Sequence, residues 1–311
     1  MKKIKVGLLS PFNKKIFNLL DKKLFELIDL DLIHNKKKNL ENISCLILDT
    51  RILSNSYLDR YKNLKLICRF GVGIDNLDLG FLKKKRIKLC ITKESIIKPV
   101  AEHALGFIVS SIKSFNEFNF IIKNNNYKRV STYPIIRDLE YKEVLIIGLG
   151  NIGKRIAKFL KFFNCKISYY DPKILKFKNY NKLISLRKNL KKFDIISINC
   201  SLNKSTKKII NQSNLKFLKS NVIIVNTSRG GIVDEKSLIN LSKKKKIIYC
   251  SDVFENEPII RKFELSKYAY NTFTPHVSTS STETRLAMSE EVIKNIKNYF
   301  VNNKKNQNFL I

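Results

Sequence analysis

The chain has 311 residues, 44% of them hydrophobic, and its 60 Lys and Arg against 26 Asp and Glu give a formal net charge of +34. That length suggests two domains, or one large one, with enough apolar content for a substantial core. No stretch approaches the roughly 20 apolar residues of a membrane helix, so a membrane-spanning protein is not expected.

The opening residues, Met1 to Leu9, share only their charge with a signal peptide. The apolar run is short, Pro11 interrupts it, and no small-residue cleavage site follows, so they read as a first β-strand of a cytoplasmic protein. The lysines fall in short runs at Lys36–Lys38, Lys83–Arg86 and Lys243–Lys246 rather than in one arm or stripe. They are read as solvated faces, and a nucleic-acid partner is not expected despite the charge. A basic surface would still attract an anionic substrate. Cys45, Cys68, Cys90, Cys165, Cys200 and Cys250 form no CxxC pair, so buried free thiols are expected and no metal site.

In chain order, apolar runs predict strands at Lys5–Leu9, Ser44–Leu48, Leu66–Arg69, Val144–Ile147, Lys166–Tyr170, Ile195–Asn199, Val222–Asn226 and Ile247–Cys250. Between them, amphipathic spacing predicts helices at Lys14–Leu27, Lys154–Phe163 and Glu235–Lys243. A longer helix runs from Val100 to about Lys123, with Pro99 at its start, and a last one covers Glu283–Asn302. Strands and helices in alternation imply βαβ units and a parallel α/β sheet, and strands apolar throughout suit a sheet covered on both faces.

Val144–Ile147 runs directly into Gly148-Leu149-Gly150-Asn151-Ile152-Gly153. A helix and a second strand follow, and that strand ends at Asp171. This is the order of a dinucleotide-binding unit. Gly148 permits the tight turn, Gly150 lets a pyrophosphate approach the backbone, and Gly153 lets helix and strand pack closely. The helix start offers N–H groups to the phosphates. Asp171 can accept both ribose hydroxyls and would repel a 2′-phosphate, which favours NAD over NADP, although Lys173 stands close by.

The segment Val225-Asn226-Thr227-Ser228-Arg229-Gly230-Gly231-Ile232-Val233-Asp234-Glu235 resembles a signature of the D-isomer-specific 2-hydroxyacid dehydrogenases. Asp252-Val253-Phe254-Glu255-Asn256-Glu257-Pro258 resembles that family's second signature, and Thr274-Pro275-His276-Val277 its third. Upstream, Arg69 to Leu79 is similar to the family's substrate loop and Val100-Ala101-Glu102-His103 to the start of its interdomain helix. The resemblance spans nearly the whole chain and implies two Rossmann/flavodoxin-like parallel-sheet domains. An NAD-binding domain at 99–282 would be inserted into a discontinuous substrate domain at 1–98 plus 283–311, with the active site in the cleft and closure excluding water.

The same resemblance implies the roles. Arg229 would clamp the substrate carboxylate and polarise the C2 oxygen. His276 would exchange the proton, and Glu257 would hold its imidazole. Val72 and Gly73 would offer N–H groups to the carboxylate, Asn76 would support their loop, and Arg69 would touch substrate. Thr92, Asn151, Ile152, Cys200, Thr227 and Asp252 match cofactor-contacting positions, Asp252 near the carboxamide. Taken alone, Arg229 could be a salt-bridge residue, but its place between a buried strand and Gly230-Gly231 argues otherwise, whereas Glu257 alone reads as loop charge and only the motif reverses that. Of the other two histidines, His34 lies in a polar turn and His103 on the helix.

The pattern is broken in places. Lys93-Glu94-Ser95 stands where the family often has Pro then Gly, Ser201 replaces a Pro, Tyr127 stands for a Trp, and Ser278-Thr279 replaces Gly or Ala. The leading expectation is oxidation of D-3-phosphoglycerate with NAD, in serine biosynthesis, Lys93 and Arg129 being candidates for a phosphate pocket. The alternative is a glyoxylate or hydroxypyruvate reductase, a branch that Ser280–Arg285 resembles. A non-enzymatic NAD-sensing protein is a further alternative, against which the intact trio argues. The segment 100–140 implies a homodimer, and the segment after His276 a single crossover helix with no regulatory domain.

Overall fold

The structure, a computed structural model, describes residues 3–9, 17, 19–31, 40–49, 51–124, 136–186, 190–259, 262–304 and 308–311. The chain divides into two compact units, residues 1–96 with 279–311 and residues 97–278. The junctions expected from the sequence lie at 98/99 and 282/283.

In the first unit, β1 (Ile4–Leu9), β2 (Phe25–Asp29), β3 (Ile43–Leu48), β4 (Leu66–Arg69) and β5 (Lys88–Ile91) form a parallel sheet of order β2-β1-β3-β4-β5. Short helices α1 (Asn55–Leu58) and α2 (Leu79–Lys84) are capped by Ser54 and Asp78, whose side chains accept the Tyr57 and Phe81 N–H groups. Leu46, Leu48, Ile67 and Leu89 build the core with Leu58, Leu64 and Leu82.

Two strands here escaped the sequence reading. The expected helix Lys14–Leu27 overlaps β2, where Phe25 is buried and Glu26 exposed in register with Ile4 and Lys5. Pairing with β1 overrides the local helical spacing. Residues 14–16 and 18 lie outside those described, as do His34, Tyr127 and Arg129. The second strand, β5, follows a basic run that masks its short apolar pattern. Its free edge is covered by the chain's end, where Ile91 N–H donates to Asn308 and Leu310 N–H to Leu89.

The second unit opens with α3 (Ile97–Ile112) and α4 (Phe115–Lys123). A single helix was expected, but Ser114 takes a left-handed φ of 55°, which an α-helix cannot continue. Then come β6 (Glu143–Ile147), α5 (Asn151–Phe162), β7 (Lys166–Tyr170), β8 (Asn181–Lys182), β9 (Ile195–Ile198), α6 (Gln212–Leu215), β10 (Val222–Asn226), α7 (Glu235–Ser242), β11 (Ile247–Ser251) and β12 (Thr272–Phe273). The sheet is parallel, in the order β12-β11-β10-β9-β6-β7-β8. Along β6, Val144 and Ile146 enter one core with Ala104 and Ile108 of α3 and Ala157 of α5. Leu145 and Ile147 enter another with Leu215 and Leu238. Both faces are therefore covered, which is why the central strands β6, β9, β10 and β11 are largely apolar. The order reverses between β6 and β9, the switch point at whose strand ends such sheets bind ligands.

The long last helix, α8 (Thr282–Phe300), belongs to the first unit and is capped by Ser281, which accepts the Thr284 N–H at 3.1 Å. No helix of the described residues is long and apolar enough to cross a membrane.

Candidate active site

In the second unit the three downstream signatures converge at the C-terminal ends of β10, β11 and β12. Beyond β10, buried Asn226 holds the turn: its side chain accepts the Ser228 N–H at 3.1 Å and donates to the Arg229 carbonyl at 3.0 Å. Ser228 reaches across to the Ile198 carbonyl of β9 at 3.2 Å. The Arg229 guanidinium rests on the Ser228 carbonyl at 2.7 Å. Next comes Gly230, where a Cβ would lie 1.8 Å from the carbonyl carbon of Phe254. Only a residue without a side chain lets these two backbones cross, and the crossing sets Arg229 beside the turn that carries Glu257.

Glu257 lies at the surface with both carboxylate oxygens engaged. Its Oε1 accepts the Phe254 N–H at 2.8 Å, and its Oε2 lies 2.7 Å from His276 Nδ1. Burial raises the carboxyl's pKa, but hydrogen bonding and charge from His276, the Phe254 N–H and the Arg229 charge outweigh it, so the group sits below its ordinary range. It is a carboxylate at neutral pH. A carboxylate on Nδ1 fixes the imidazole's orientation and leaves Nε2 for a reacting oxygen.

His276 itself has a left-handed φ of 54°, a conformation that costs a side-chain-bearing residue about 1–2 kcal/mol. Asp252 holds it there. This fully buried carboxylate accepts from Thr274 Oγ1 at 2.5 Å, Val277 N–H at 2.8 Å and Ser278 N–H at 2.9 Å. The resemblance assigns Asp252 to the cofactor's carboxamide. In the structure both its oxygens face the His276 loop. Thr274 also meets His103 Nε2 at 2.9 Å, which ties α3 to that loop.

At the switch point, Gly148 has φ +87°, and a Cβ there would lie 2.6 Å from the Cys200 nitrogen. A Cβ on Gly153 would lie 2.2 Å from the Gly148 carbonyl oxygen. Gly150 has nothing within 4 Å of its missing Cβ, and it caps α5 with no side-chain hydrogen bond. The opening over Asn151, Ile152 and Gly153 is thus a bare amide cradle that a side chain at 150 would fill, the form a pyrophosphate needs. Asp171 sits beside it, accepting the Leu149 N–H and the Lys173 N–H at 2.9 Å each. Thr227 lies half-buried after β10. Burial pushes the Cys200 thiol up to about 11, so it is a neutral wall of this site.

The remaining sequence candidates lie in the first unit and require one correction. Arg69, expected to touch substrate, is only 2% exposed and turned inward. Its guanidinium donates to the carbonyls of Gly73 at 2.8 Å, Phe70 at 2.9 Å and Leu48 at 3.3 Å. It braces the loop carrying Val72 and Gly73, because a charge at a buried strand end must satisfy its donors locally. Thr92 is likewise buried and accepts the Gly71 N–H at 2.7 Å. Asn76 donates to the Arg51 carbonyl at 2.6 Å, which ties its loop to the segment after β3. The loop Lys93-Glu94-Ser95 gives its three backbone N–H groups to Glu291 of α8 at 3.0, 3.2 and 3.0 Å. That explains the missing proline, since a proline at 93 would have no N–H to give.

A doubly wound parallel sheet with a glycine-turn dinucleotide cradle, and an imidazole–carboxylate pair beside an arginine at its strand ends, define a nicotinamide-dependent dehydrogenase. The chain belongs to the D-isomer specific 2-hydroxyacid dehydrogenases: the model of that family's NAD-binding domain matches residues 105–278. It is 31% identical over 242 residues to glyoxylate/hydroxypyruvate reductase A of Arabidopsis thaliana, covering 76% of each chain. It is 30% identical over 241 residues to D-3-phosphoglycerate dehydrogenase of Archaeoglobus fulgidus, covering 76% of this chain but 45% of that one. Its fold matches that of the NADPH-dependent glyoxylate/hydroxypyruvate reductase of Sinorhizobium meliloti, solved with NADP and malonate. There the TM-score is 0.87 at 23% identity, over 99% of this chain and 97% of that one. The protein is therefore an NAD-dependent D-2-hydroxyacid dehydrogenase.

Proposed function

We propose that the chain reduces a small 2-keto acid of the glyoxylate or hydroxypyruvate kind, and that Arg229, Glu257 and His276 carry the reaction. The observation that supports the trio most directly is the 2.7 Å pair between His276 Nδ1 and Glu257 Oε2. The substrate class rests on the reductase relative, which the chain matches over three quarters of its length. The phosphoglycerate dehydrogenase relative extends far beyond the matched region, so oxidation of D-3-phosphoglycerate stands second.

In this reading Arg229 pairs with the substrate carboxylate through its planar fork and draws charge from the C2 oxygen. His276 Nε2 gives its proton to that oxygen on reduction and takes it back on oxidation. Glu257 keeps the imidazole oriented and stabilises its protonated form. The nicotinamide, when bound, supplies or accepts the hydride at C2. Gly148, Gly150, Asn151, Ile152 and Gly153 would hold the pyrophosphate and Asp171 the ribose, favouring NAD over NADP. Thr227 and Cys200 would line the same site. Six unpaired thiols support a cytoplasmic setting. Phe115, Phe120 and Ile122 of α4, each more than half exposed, support a homodimer.

The test is turnover of NADH, and separately NADPH, with glyoxylate, hydroxypyruvate and D-lactate's keto acid, and the reverse reaction with D-glycerate and D-3-phosphoglycerate. Preferred reduction of glyoxylate or hydroxypyruvate supports the reading. Turnover confined to D-3-phosphoglycerate would replace its substrate, and no turnover of any would remove the trio's assignment.

A further inference from the structure

Glu235 is the first residue of α7, and no part of the trio. Its Oε1 accepts the Glu255 N–H at 3.1 Å. One residue earlier in that turn, the Phe254 N–H donates to Glu257, and the Phe254 carbonyl carbon is the atom that Gly230 approaches. The Phe254–Glu257 turn is thus held at one side by Gly230 and at the other by a half-buried carboxylate.

We propose that Glu235 is a positioning residue for the reaction: its carboxyl oxygen fixes the turn from which Glu257 reaches His276, and its charge adds to that of Glu257 behind the imidazole. This inference rests on the reading of the trio given above. The groups facing Glu235 are Glu255, Glu257, Lys208 and the buried Tyr249. Lys208 is drawn off by Glu255 at 3.0 Å and Asp234 at 3.7 Å. Burial, with Glu255 and Glu257 adding to it against the Glu255 N–H and Lys208, pushes the Glu235 carboxyl up to about 7. The protonated form keeps a carbonyl oxygen for the Glu255 N–H, so the turn holds on both sides of that titration. Only the charge behind Glu257 changes.

The separating variants are Glu235→Gln, which keeps the acceptor and removes the charge, and Glu235→Ala, which removes both. Losing this acceptor and loosening the turn should lower kcat about tenfold in the Ala variant, with little change in KM. The Gln variant should recover most of that loss. In the wild type, the pH profile of kcat should contain a step near pH 7 that the Gln variant lacks, an outcome that simple packing would not produce.

Wild-type kcat in the Ala variant, or a Gln variant whose pH profile equals the wild type's, would overturn the proposal. Should the Ala variant fail to fold, the Gln profile decides alone. A His276→Ala control separates the two readings. If it stays fully active, the trio is wrong. If it is inactive while both Glu235 variants match the wild type, only the role of Glu235 falls.

Discussion

Gly230 and Phe254 cross so closely that a Cβ on Gly230 would lie 1.8 Å from the Phe254 carbonyl carbon and 2.0 Å from its oxygen. Through this crossing the turn after β10, which carries Arg229, and the turn after β11, which carries Glu257, form one rigid piece. Replacing Gly230 by Ala must push the two turns apart, since the clash is with backbone and no side chain can move to relieve it. We expect Gly230→Ala to cost on the order of 3 kcal/mol and to abolish most turnover. Thermal unfolding and NADH oxidation measured on the same preparation check this. A variant with wild-type Tm and kcat would show that the turns can separate freely.

Glu257 is held below its ordinary range, so its contribution has a definite pH window. A carboxylate with a depressed native pKa stabilises fully above its unfolded value, here 4.5, and that stabilisation is lost as pH falls through the lower native value. Glu257→Gln should therefore be less stable than wild type near neutrality, and the gap in Tm should close as the pH is taken below 4.5. The same variant should lower kcat about a hundredfold, the usual scale for disabling an acid–base pair. A Tm gap that grows on acidification would contradict the assignment.

In the first unit, Glu291 of α8 gathers the loop after β5. Besides the three N–H groups of Lys93, Glu94 and Ser95, it accepts Ser95 Oγ at 2.6 Å and Asn308 Nδ2 at 2.8 Å. Glu291→Ala would leave these donors without their acceptor, at about 1–3 kcal/mol for the most buried of them. Hydrogen exchange should rise at Lys93 to Ser95 and spare β6, whose amides lie in the other unit. Unchanged protection at 93–95 would show that the loop is held elsewhere.

In the second unit β6, β7, β9, β10 and β11 were plain in the sequence, because they are largely apolar and the glycine turn has one physical purpose, whereas the two-residue edge strands β8 and β12 are too short and polar to leave a pattern. The trio was legible only through the spacing of its three signatures. No periodicity marks Glu257 apart from Glu255, and it is the fold of the turn that aims one at His276 and the other at Lys208. Arg69 misled, since its motif resembles a substrate loop while its guanidinium is turned to the carbonyls of Phe70 and Gly73 in that loop and of Leu48 at the end of β3. Asp252, Glu235 and Glu291 act on backbone N–H groups distant in sequence, and such contacts leave no pattern along the chain. β2 was missed because pairing with β1 overrides its local helical spacing, and β5 because a basic run masks its short apolar pattern.

The role of His276 is tested most directly by single-turnover hydride transfer from bound NADH to glyoxylate and hydroxypyruvate, in the wild type and in His276→Ala. Both proteins should bind NADH alike, and transfer in the variant should slow by at least about a hundredfold. Transfer at the wild-type rate in His276→Ala would contradict that role.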